Sequence, residues 1–318
     1  MERGKDYHDS RRLEKPPNHP GPAPAVGALL QQRFLLSALI AHGGTAAVYQ
    51  ARDRRQEQTN GVRSEIAVKF FHGASANIPP VAMAAREATL AAAVRHPGIV
   101  HIHDMHALGQ RAYLTMEWIP GETLAQRLAR MPGGRLPQEQ AIPLTVAVAE
   151  ALAACHAAGI AHGDVKPANI LLAGNGVRLV DFTTAHQFAS SARPLAAVPS
   201  EPIAGYSRLY ASPRVLEGAL PSPPDDIHAL AVVAYQMLTG RTPFAPHGSL
   251  TARDQGVPPE RPADLGWLRW QMLRRGLTAD PQNAPDDVAR FANALERPGR
   301  SLVFPGKRQP ARAAGWER

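Results

Sequence analysis

One short stretch constrains the fold of this chain more than any other: residues 162–169, with the sequence HGDVKPAN, followed by an Asp-Phe pair. It supplies, in order, a carboxylate (Asp164), an ammonium group (Lys166), an amide (Asn169) and a second carboxylate (Asp181). Phosphoryl transfer needs such a set, because the protein positions an acceptor hydroxyl, neutralises phosphate charge and holds Mg²⁺ through oxygen ligands. The stretch therefore predicts a fold that gathers these four side chains at one site.

The same ordered string resembles the catalytic and metal-binding loops of the protein kinase family, which read H-x-D-x-K-x-x-N followed by D-F. A single His-x-Asp or Asp-Phe is common by chance, whereas the whole ordered string is not. The resemblance implies that Asp164 and Lys166 are catalytic, that Asn169 and Asp181 bind Mg²⁺, and that ATP is the phosphoryl donor.

Lysine usage points to the same chemistry. Of the 35 Lys and Arg residues only five are lysines, and three of those lie in the polar ends of the chain. The other two, Lys69 and Lys166, stand where kinase chemistry asks for a compact ammonium group rather than a guanidinium fork. A chain that otherwise prefers arginine has lysine at these two positions.

Residues 34–51 read as a strand, a tight turn and a second strand, a hairpin whose backbone N–H groups could cover phosphates. An ordinary hairpin is an equally good reading of this segment alone. It also resembles the kinase glycine-rich loop, with Ala41 and Ala46 where glycine is usual. Each alanine costs at most about 1 kcal/mol if φ must be positive, which predicts a softened grip on nucleotide. The nucleotide-binding residues implied here are Ile40, Ala41, His42, Gly43, Gly44, Thr45 and Val48.

The segment Ile66–Phe71 predicts a buried strand, and residues 82–94 predict a helix. The strand resembles the V-A-I-K strand of kinases, whose lysine reaches the α- and β-phosphates of ATP. The resemblance implies that Lys69 contacts phosphate and that Glu87 on the helix pairs with it. Between the glycine-rich hairpin and this strand, Asn60-Gly61 predicts a hairpin turn.

Residues 99–102 and 112–118 read as the next two strands. The sequence LTMEWIPGETL, which begins at position 114, resembles the kinase hinge. This implies that backbone groups of Glu117 and Ile119 bind adenine, with Met116 at the back of the pocket. Met116 is equally well explained as a core-filling side chain, and the two readings are compatible.

Two departures fall near the catalytic string. Gly163 replaces the arginine that in the family precedes the catalytic Asp and receives an activation-loop phosphate. Without that receptor, we predict activity that does not require phosphorylation between residues 183 and 207. Thr183 replaces the glycine that follows Asp-Phe, which predicts a stiffer segment at this point.

Further along the chain, Ser207 takes the place of the threonine that tethers the activation segment to the catalytic Asp and Lys. Arg214 stands where the family's A-P-E motif has glutamate, and residues 281–284 lack the arginine that glutamate would pair with. Losing both members of a buried pair can be energetically neutral, which predicts a compensated change. Asp226 is expected to anchor the backbone of the catalytic loop.

Apolar patterns predict helices at 141–158, starting near Pro143, and at 267–276 and 284–295. The segment 226–244 resembles the long buried helix of the kinase C-lobe. His156 and His162 have no further ligand at metal-binding spacing and are expected to be structural, with His162 packing beneath Phe182. We therefore predict an α+β, bilobal protein-kinase-like fold: a small antiparallel β-sheet N-lobe (33–119) with one key helix, and a larger, mainly α-helical C-lobe (120–297). A Pro-rich, disordered arm (1–32) and a basic tail (298–318) are expected to flank it.

Composition narrows the cellular setting. The single cysteine excludes an internal disulfide framework. No signal peptide is expected because residues 1–15 are densely charged and lack an apolar core, and no membrane span is expected because the apolar helices look too short or too charge-interrupted. A cytoplasmic location follows. The net charge of +8 comes from scattered arginines without interleaved aromatic residues, so protein substrates rather than nucleic acids are the expected partners. The oligomeric state stays open.

Three functions fit these observations. The first is a bacterial-type serine/threonine protein kinase. The second is a pseudokinase or ATP-binding scaffold, suggested by Ala41, Ala46, Thr183 and Arg214. The third is a small-molecule phosphotransferase, since His-Gly-Asp also opens the catalytic loop of aminoglycoside-type kinases; the Lys166-Pro that follows resembles the protein-kinase loop instead.

Overall fold

A computed structural model of the chain describes residues 22–73, 78–174, 176–188, 206–278, 285 and 287–297. The chain divides into two compact units. The first is formed from residues 1–84 and 105–115, the second from residues 85–104 and 116–318. Most of the N-terminal arm, the segment 281–284 and the C-terminal tail lie outside the described residues, so expectations about them stay predictions.

A six-stranded sheet, with strand order β1-β2-β3-β4-β6-β5, contains the strands of the first unit. The pairs β1–β2, β2–β3 and β3–β4 are antiparallel. Its core in this unit is built from aromatic and branched side chains such as Phe34, Tyr49, Val68 and Tyr113. The strands are β1 Leu29–Leu30, β2 Phe34–His42, β3 Ala46–Asp53, β4 Glu65–Phe71, β5 Ile102–Leu108 and β6 Arg111–Glu117.

Three expectations for this region need correction. Asn60-Gly61 ends a helix, α1 (Arg54–Asn60), rather than turning a hairpin; Asp53 caps the start, and Gly61 at φ 66° closes the end by donating to the Glu57 carbonyl. The strand expected at residue 99 begins at Ile102. Residues 22–32 are partly ordered, because Leu29–Leu30 pairs with β2 and the Tyr49 hydroxyl donates to the Pro24 carbonyl at 2.6 Å.

The second unit is mainly helical. A three-stranded sheet, ordered β10-β9-β7, and the antiparallel pair β8–β11 lie beside its helices. The helices are α2 Pro80–Ala92, α3 Leu124–Arg130, α4 Gln138–Ala157, α5 Pro213–Leu216, α6 Pro223–Thr239, α7 Ser249–Asp254, α8 Trp267–Gly276 and α9 Val288–Glu296. The short strands are β7 Gly121–Thr123, β8 Ile160–Ala161, β9 Ile170–Ala173, β10 Gly176–Leu179 and β11 His186–Gln187.

Helix α6 is the central helix of this unit. It begins after Ser222, which forms a capping box with Asp225, and it ends at Gly240 in the left-handed region, φ 78°. A Cβ at Gly240 would lie 1.9 Å from the Gly133 carbonyl oxygen, so only glycine fits there. Residues 225–235 are all buried, which fixes the helix in the core.

Helix α4 differs from the sequence expectation. It begins at Gln138, so Pro143 lies inside the helix rather than in its first turn. Its 20 residues make it long and apolar enough to cross a bilayer, contrary to the length argument. Ile142, Val148 and Leu152 on this helix are buried in the hydrophobic core of the second unit, which is the packing of a core helix.

Candidate active site

The segment 162–169 is held by one buried carboxylate. Asp226, near the start of α6, accepts hydrogen bonds from the backbone N–H groups of His162 and Gly163, both at 2.8 Å, and contacts His156 Nε2 at 2.8 Å. Its side chain is 1% exposed. Charged acceptors make stronger hydrogen bonds than neutral ones, particularly where water is excluded. The expected anchoring of this loop by Asp226 is present in the structure.

Four polar groups converge beyond this anchor. Lys166 Nζ lies 2.5 Å from Asp164 Oδ2 and donates to Ser207 Oγ at 2.8 Å. Asn169 Nδ2 donates to the Asp164 carbonyl at 2.9 Å and to Asp164 Oδ2 at 3.1 Å, and the Ser207 N–H donates to Asp164 Oδ1 at 3.3 Å. Asp164 is buried and its oxygens face three donors, so its orientation is fixed before any ligand arrives.

The donor set fits Mg²⁺. Because the Asn169 amide nitrogen is committed to Asp164, its oxygen is the atom left for a cation, and Asp181 adds a carboxylate. The Val180 N–H donates to the Asn169 carbonyl at 3.0 Å, which ties the backbones of the two segments. Among the described residues no group of three or more His, Cys, Asp or Glu side chains could hold a metal. Mg²⁺ commonly uses one or two protein oxygens together with substrate phosphates and water.

Asp181 has an unusual backbone conformation, φ 69°, which few non-glycine residues adopt. The neighbouring Phe182 is fully buried and meets the His162 ring edge to face at 4.9 Å, as expected for a structural His162. The Thr183 hydroxyl lies 2.6 Å from Asp181 Oδ1 and 2.7 Å from Glu87 Oε2 of α2. Glu87, which the sequence analysis expects to pair with Lys69, contacts the segment that follows Asp181.

The structure explains why residue 163 is a glycine, which the sequence pattern of kinases does not. Its φ is 79°, and a Cβ there would lie 2.7 Å from the Thr184 carbonyl oxygen and 3.0 Å from Pro221. The backbone conformation at this position is thus restricted to glycine, whether or not an arginine would be useful.

Gly163→Ala is expected to lower the free energy of unfolding by about 2–5 kcal/mol, from left-handed strain and overpacking together. Gly256→Ala is the matched control, since Gly256 also has positive φ, 65°, but nothing lies within 4 Å of its Cβ position. Chemical denaturation of both variants measures the difference. Equal losses would show that the contact with Thr184 is not a constraint.

The glycine-rich hairpin of the first unit joins β2 to β3. The Gly43 N–H donates to the Ala46 carbonyl at 2.9 Å, and the N–H groups of His72 and Gly73 donate to the Thr45 carbonyl. Residues 40–44 are exposed, and Thr45 and Val48 are half-buried. Ala41 and Ala46 do not have positive φ, so the strain expected for alanine at these positions is absent.

The side chains around this hairpin include two stacked imidazoles, His42 and His72, with ring centroids 5.1 Å apart. Burial lowers the pKa of His72, and the neighbouring His42 lowers it further. Lys69 lies on β4, directly opposite Val48 of β3, and its buried ammonium group is 5.3 Å from the Phe71 ring. The register thus places Lys69, the expected phosphate ligand, next to Val48, an expected nucleotide contact.

The hinge residues belong to the second unit. Met116 and Ile119 are buried. The Glu117 N–H donates to the His101 carbonyl at 3.0 Å, and the Glu117 carboxylate accepts from the His101 N–H at 2.8 Å. With its N–H occupied, Glu117 can contact a base only through its carbonyl, and Ile119 is left as the source of an N–H donor.

Sequence reasoning missed two features. The contact of His156 with Asp226 joins residues 70 positions apart, and no local pattern indicates it. Arg214 does not lack a partner: its guanidinium group pairs with Asp225 and donates to Ser222 Oγ at 2.8 Å and the Leu220 carbonyl at 2.7 Å. Arg214 is thus paired with an acid in the first turn of α6. The expected compensation, in which the glutamate and its arginine partner in residues 281–284 are lost together, stays a prediction because that segment lies outside the described residues.

Comparison with known proteins agrees with this geometry. The sequence profile of the protein kinase domain matches residues 34–266. The chain is 33% identical over 298 residues to serine/threonine-protein kinase PknA of Mycobacterium tuberculosis, covering 91% of this chain and 65% of that protein. It is 30% identical to serine/threonine-protein kinase PknL of the same organism, covering 91% and 71%.

Among solved structures, the kinase domain of Mycobacterium tuberculosis PknI aligns with a TM-score of 0.61 and 24% identity, covering 86% of this chain and 98% of that one. A point mutant of the same domain gives a TM-score of 0.62. The predicted kinase-like fold is confirmed by these structures. The chain spans 65% of the length of the PknA proteins it matches, so the comparison covers a domain of such proteins rather than their whole length.

Proposed function

This chain belongs to the protein kinase family, and from that premise we propose that it transfers the γ-phosphoryl group of ATP to serine or threonine hydroxyls of proteins. The observation that carries the proposal is the convergence of Asp164, Lys166, Asn169 and Ser207 within hydrogen-bond distance. These groups match the needs of an acceptor hydroxyl, a transferring phosphoryl group and a cation.

In this proposal Asp164 orients the acceptor hydroxyl and accepts its proton. Lys166 lies beside that carboxylate and neutralises charge on the transferring phosphoryl group, while Ser207 holds the ammonium group in place. Because Asp164 is already fixed by its donors, little reorganisation is needed when the acceptor binds. Lys69, with Glu87 to orient it, would hold the other phosphates.

Asn169 and Asp181 would hold Mg²⁺, which supplies charge neutralisation on the phosphates of bound ATP. The residues of the glycine-rich hairpin would cover those phosphates with backbone N–H groups, and Glu117 and Ile119 would contact adenine, with Met116 behind it. Each of these assignments follows from the position of the residue in the family pattern.

A pseudokinase or ATP-binding scaffold is the alternative. Its strongest argument is the loss of glycine at 41, 46 and 183. Neither Ala41 nor Ala46 has positive φ, which removes the backbone penalty that alanine would otherwise carry there. Every side chain that would meet charge is present, which favours catalysis. A small-molecule phosphotransferase is disfavoured by Lys166-Pro in the catalytic string.

One experiment separates these functions. The protein is incubated with Mg-ATP alone, with a generic protein acceptor, and with small hydroxylated acceptors including aminoglycosides, and products are identified by mass spectrometry. Phosphoserine or phosphothreonine on protein supports the proposal. Nucleotide binding without turnover supports the scaffold, and turnover confined to small acceptors supports the third function.

We further propose that activity does not depend on phosphorylation of residues 183–207. No arginine precedes Asp164, and Gly163 is restricted to glycine by its φ and by the Thr184 carbonyl. Phosphatase-treated protein is therefore expected to keep its initial rate within about twofold, since no charge-assisted switch is built at this position. The rate is compared before and after treatment, with mass spectrometry to verify dephosphorylation. A loss of about tenfold or more would contradict the proposal.

The remaining partners follow from the reaction. Protein substrates are proposed, and a cytoplasmic placement of the domain agrees with its use of ATP and with the single, buried cysteine.

A further inference from the structure

Thr183 occupies a position where its hydroxyl meets two acids. Its Oγ1 lies 2.6 Å from Asp181 Oδ1 and 2.7 Å from Glu87 Oε2, and its backbone N–H also faces Asp181 Oδ1 at 3.3 Å. Glu87 is 2% exposed, and Thr183 is half-buried. Glu87 and Thr183 are 96 residues apart, so this contact exists only in the folded chain.

A hydroxyl has one proton to donate and cannot satisfy two carboxylate oxygens at once. The one donor is therefore shared between Glu87 Oε2 and Asp181 Oδ1, and it holds the two carboxylates in a fixed orientation relative to each other. A cation binds Asp181 more tightly when that carboxylate is already held in place. Glycine, valine or alanine at this position could not couple the two acids.

A second contact also joins α2 to the segment that contains Thr183. Arg86, the neighbour of Glu87 on α2, donates from its guanidinium group to the Ala185 carbonyl at 2.9 Å. Helix α2 is thus bonded to the segment 181–185 both through a backbone carbonyl and through the Thr183 hydroxyl. The Thr183 hydroxyl also reaches Asp181, whose left-handed backbone, φ 69°, has to be maintained by its surroundings.

We propose that Thr183 is a positioning residue whose hydroxyl couples Glu87 on α2 to Asp181, so that ordering of α2 and divalent-cation binding at Asp181 support each other. The coupling is reciprocal by thermodynamic necessity, because a group that aligns Asp181 for a cation is itself aligned when the cation binds. This inference rests on the proposed function, in which Asp181 is a metal ligand.

Three variants test it. Thr183→Val removes the hydroxyl and keeps the shape, and Thr183→Ser keeps the hydroxyl. Thr184→Val is the matched control, since Thr184 is the adjacent buried threonine and its hydroxyl reaches only the His162 carbonyl, at 3.4 Å. Two quantities are measured: Mn²⁺ affinity, by electron paramagnetic resonance with a non-hydrolysable ATP analogue, and amide hydrogen exchange of residues 85–92.

We expect Thr183→Val to weaken Mn²⁺ binding about tenfold, the size of a lost hydrogen bond to a charged group, and to accelerate exchange in residues 85–92 when Mn²⁺ is bound. Thr183→Ser is expected to stay within about twofold of the parent protein, since it retains the donor. Thr184→Val should leave both quantities unchanged. Unchanged Mn²⁺ affinity in Thr183→Val, or a Thr183→Ser variant as weak as Thr183→Val, would overturn the coupling.

The outcomes distinguish this inference from the proposed function. Binding of Mn²⁺ and nucleotide without phosphoryl transfer would refute the kinase activity and still allow the Thr183 comparison to be read. Absence of Mn²⁺ binding in the parent protein would refute the metal role of Asp181 and the coupling with it. If Thr183→Val does not fold, Thr183→Gly carries the same comparison.

Discussion

Replacing Asp164 by asparagine is expected to reduce phosphoryl transfer about 10²–10⁴-fold, the usual contribution of a positioned acid–base group. Asparagine keeps the shape, but its single side-chain oxygen can accept either from Asn169, which bonds to Oδ2, or from the Ser207 N–H, which bonds to Oδ1. Asparagine cannot take a proton at neutral pH. It also removes the negative partner of Lys166 at 2.5 Å. The initial rate with saturating Mg-ATP and a protein acceptor measures the effect.

The control for this variant is Asp264→Asn, which makes the same chemical change at an exposed position. Circular dichroism melting should show both variants folded, and nucleotide affinity of Asp164→Asn should stay within a few-fold of the parent protein. A rate loss smaller than about tenfold in Asp164→Asn would remove this residue from the catalytic group and favour the scaffold alternative.

Asp226→Asn is expected to cost about 3–5 kcal/mol of folding free energy, because a buried charged acceptor is lost and a backbone donor is left unpaired. One carboxylate oxygen serves His162 N–H and His156, and the other serves Gly163 N–H. Asparagine provides only one oxygen, so its NH₂ group faces one of the donors. For a domain of this size each kcal/mol lowers the melting temperature by about 2–4 °C.

The same variant should lower kcat while leaving the affinity for nucleotide nearly unchanged, since Asp226 orients the backbone of His162 and Gly163 beside Asp164. His156→Gln is the comparison, because it removes one contact of Asp226 and leaves both backbone donors satisfied. Its stability loss should be clearly smaller. Equal losses in the two variants would show that the imidazole, and not the two N–H groups, is the main partner of Asp226.

Much of the fold could be predicted from the sequence, because hydrophobic periodicity and turn residues act locally. The hairpin at 34–53, the strand at 65–71 and the helix at 267–276 lie where the patterns place them. The errors also have local causes. Asn-Gly fits a hairpin turn and a helix C-cap equally well. Pro143 is expected in the first turn of α4, where proline is common, but the helix already begins at Gln138.

The candidate site likewise has a part that the sequence predicts and a part that it does not. Residues 164, 166 and 169 are close in sequence, so a short loop with a single 3₁₀ turn at Pro167–Asn169 is enough to bring them together. Arg214 shows the opposite case. The family pattern shows only that glutamate is missing at this position. The pairing of Arg214 with Asp225 depends on how α5 packs beside the start of α6.

The sequence by itself determined which chemical groups are present and which elements carry them, since residue type and periodicity are properties of neighbouring positions. Only the tertiary structure decided that Asp226 holds His162 and Gly163 across 64 and 63 residues, and that Thr183 meets Glu87 across 96. Contacts of that separation are selected by packing and by the need to satisfy buried donors, and no local pattern encodes them.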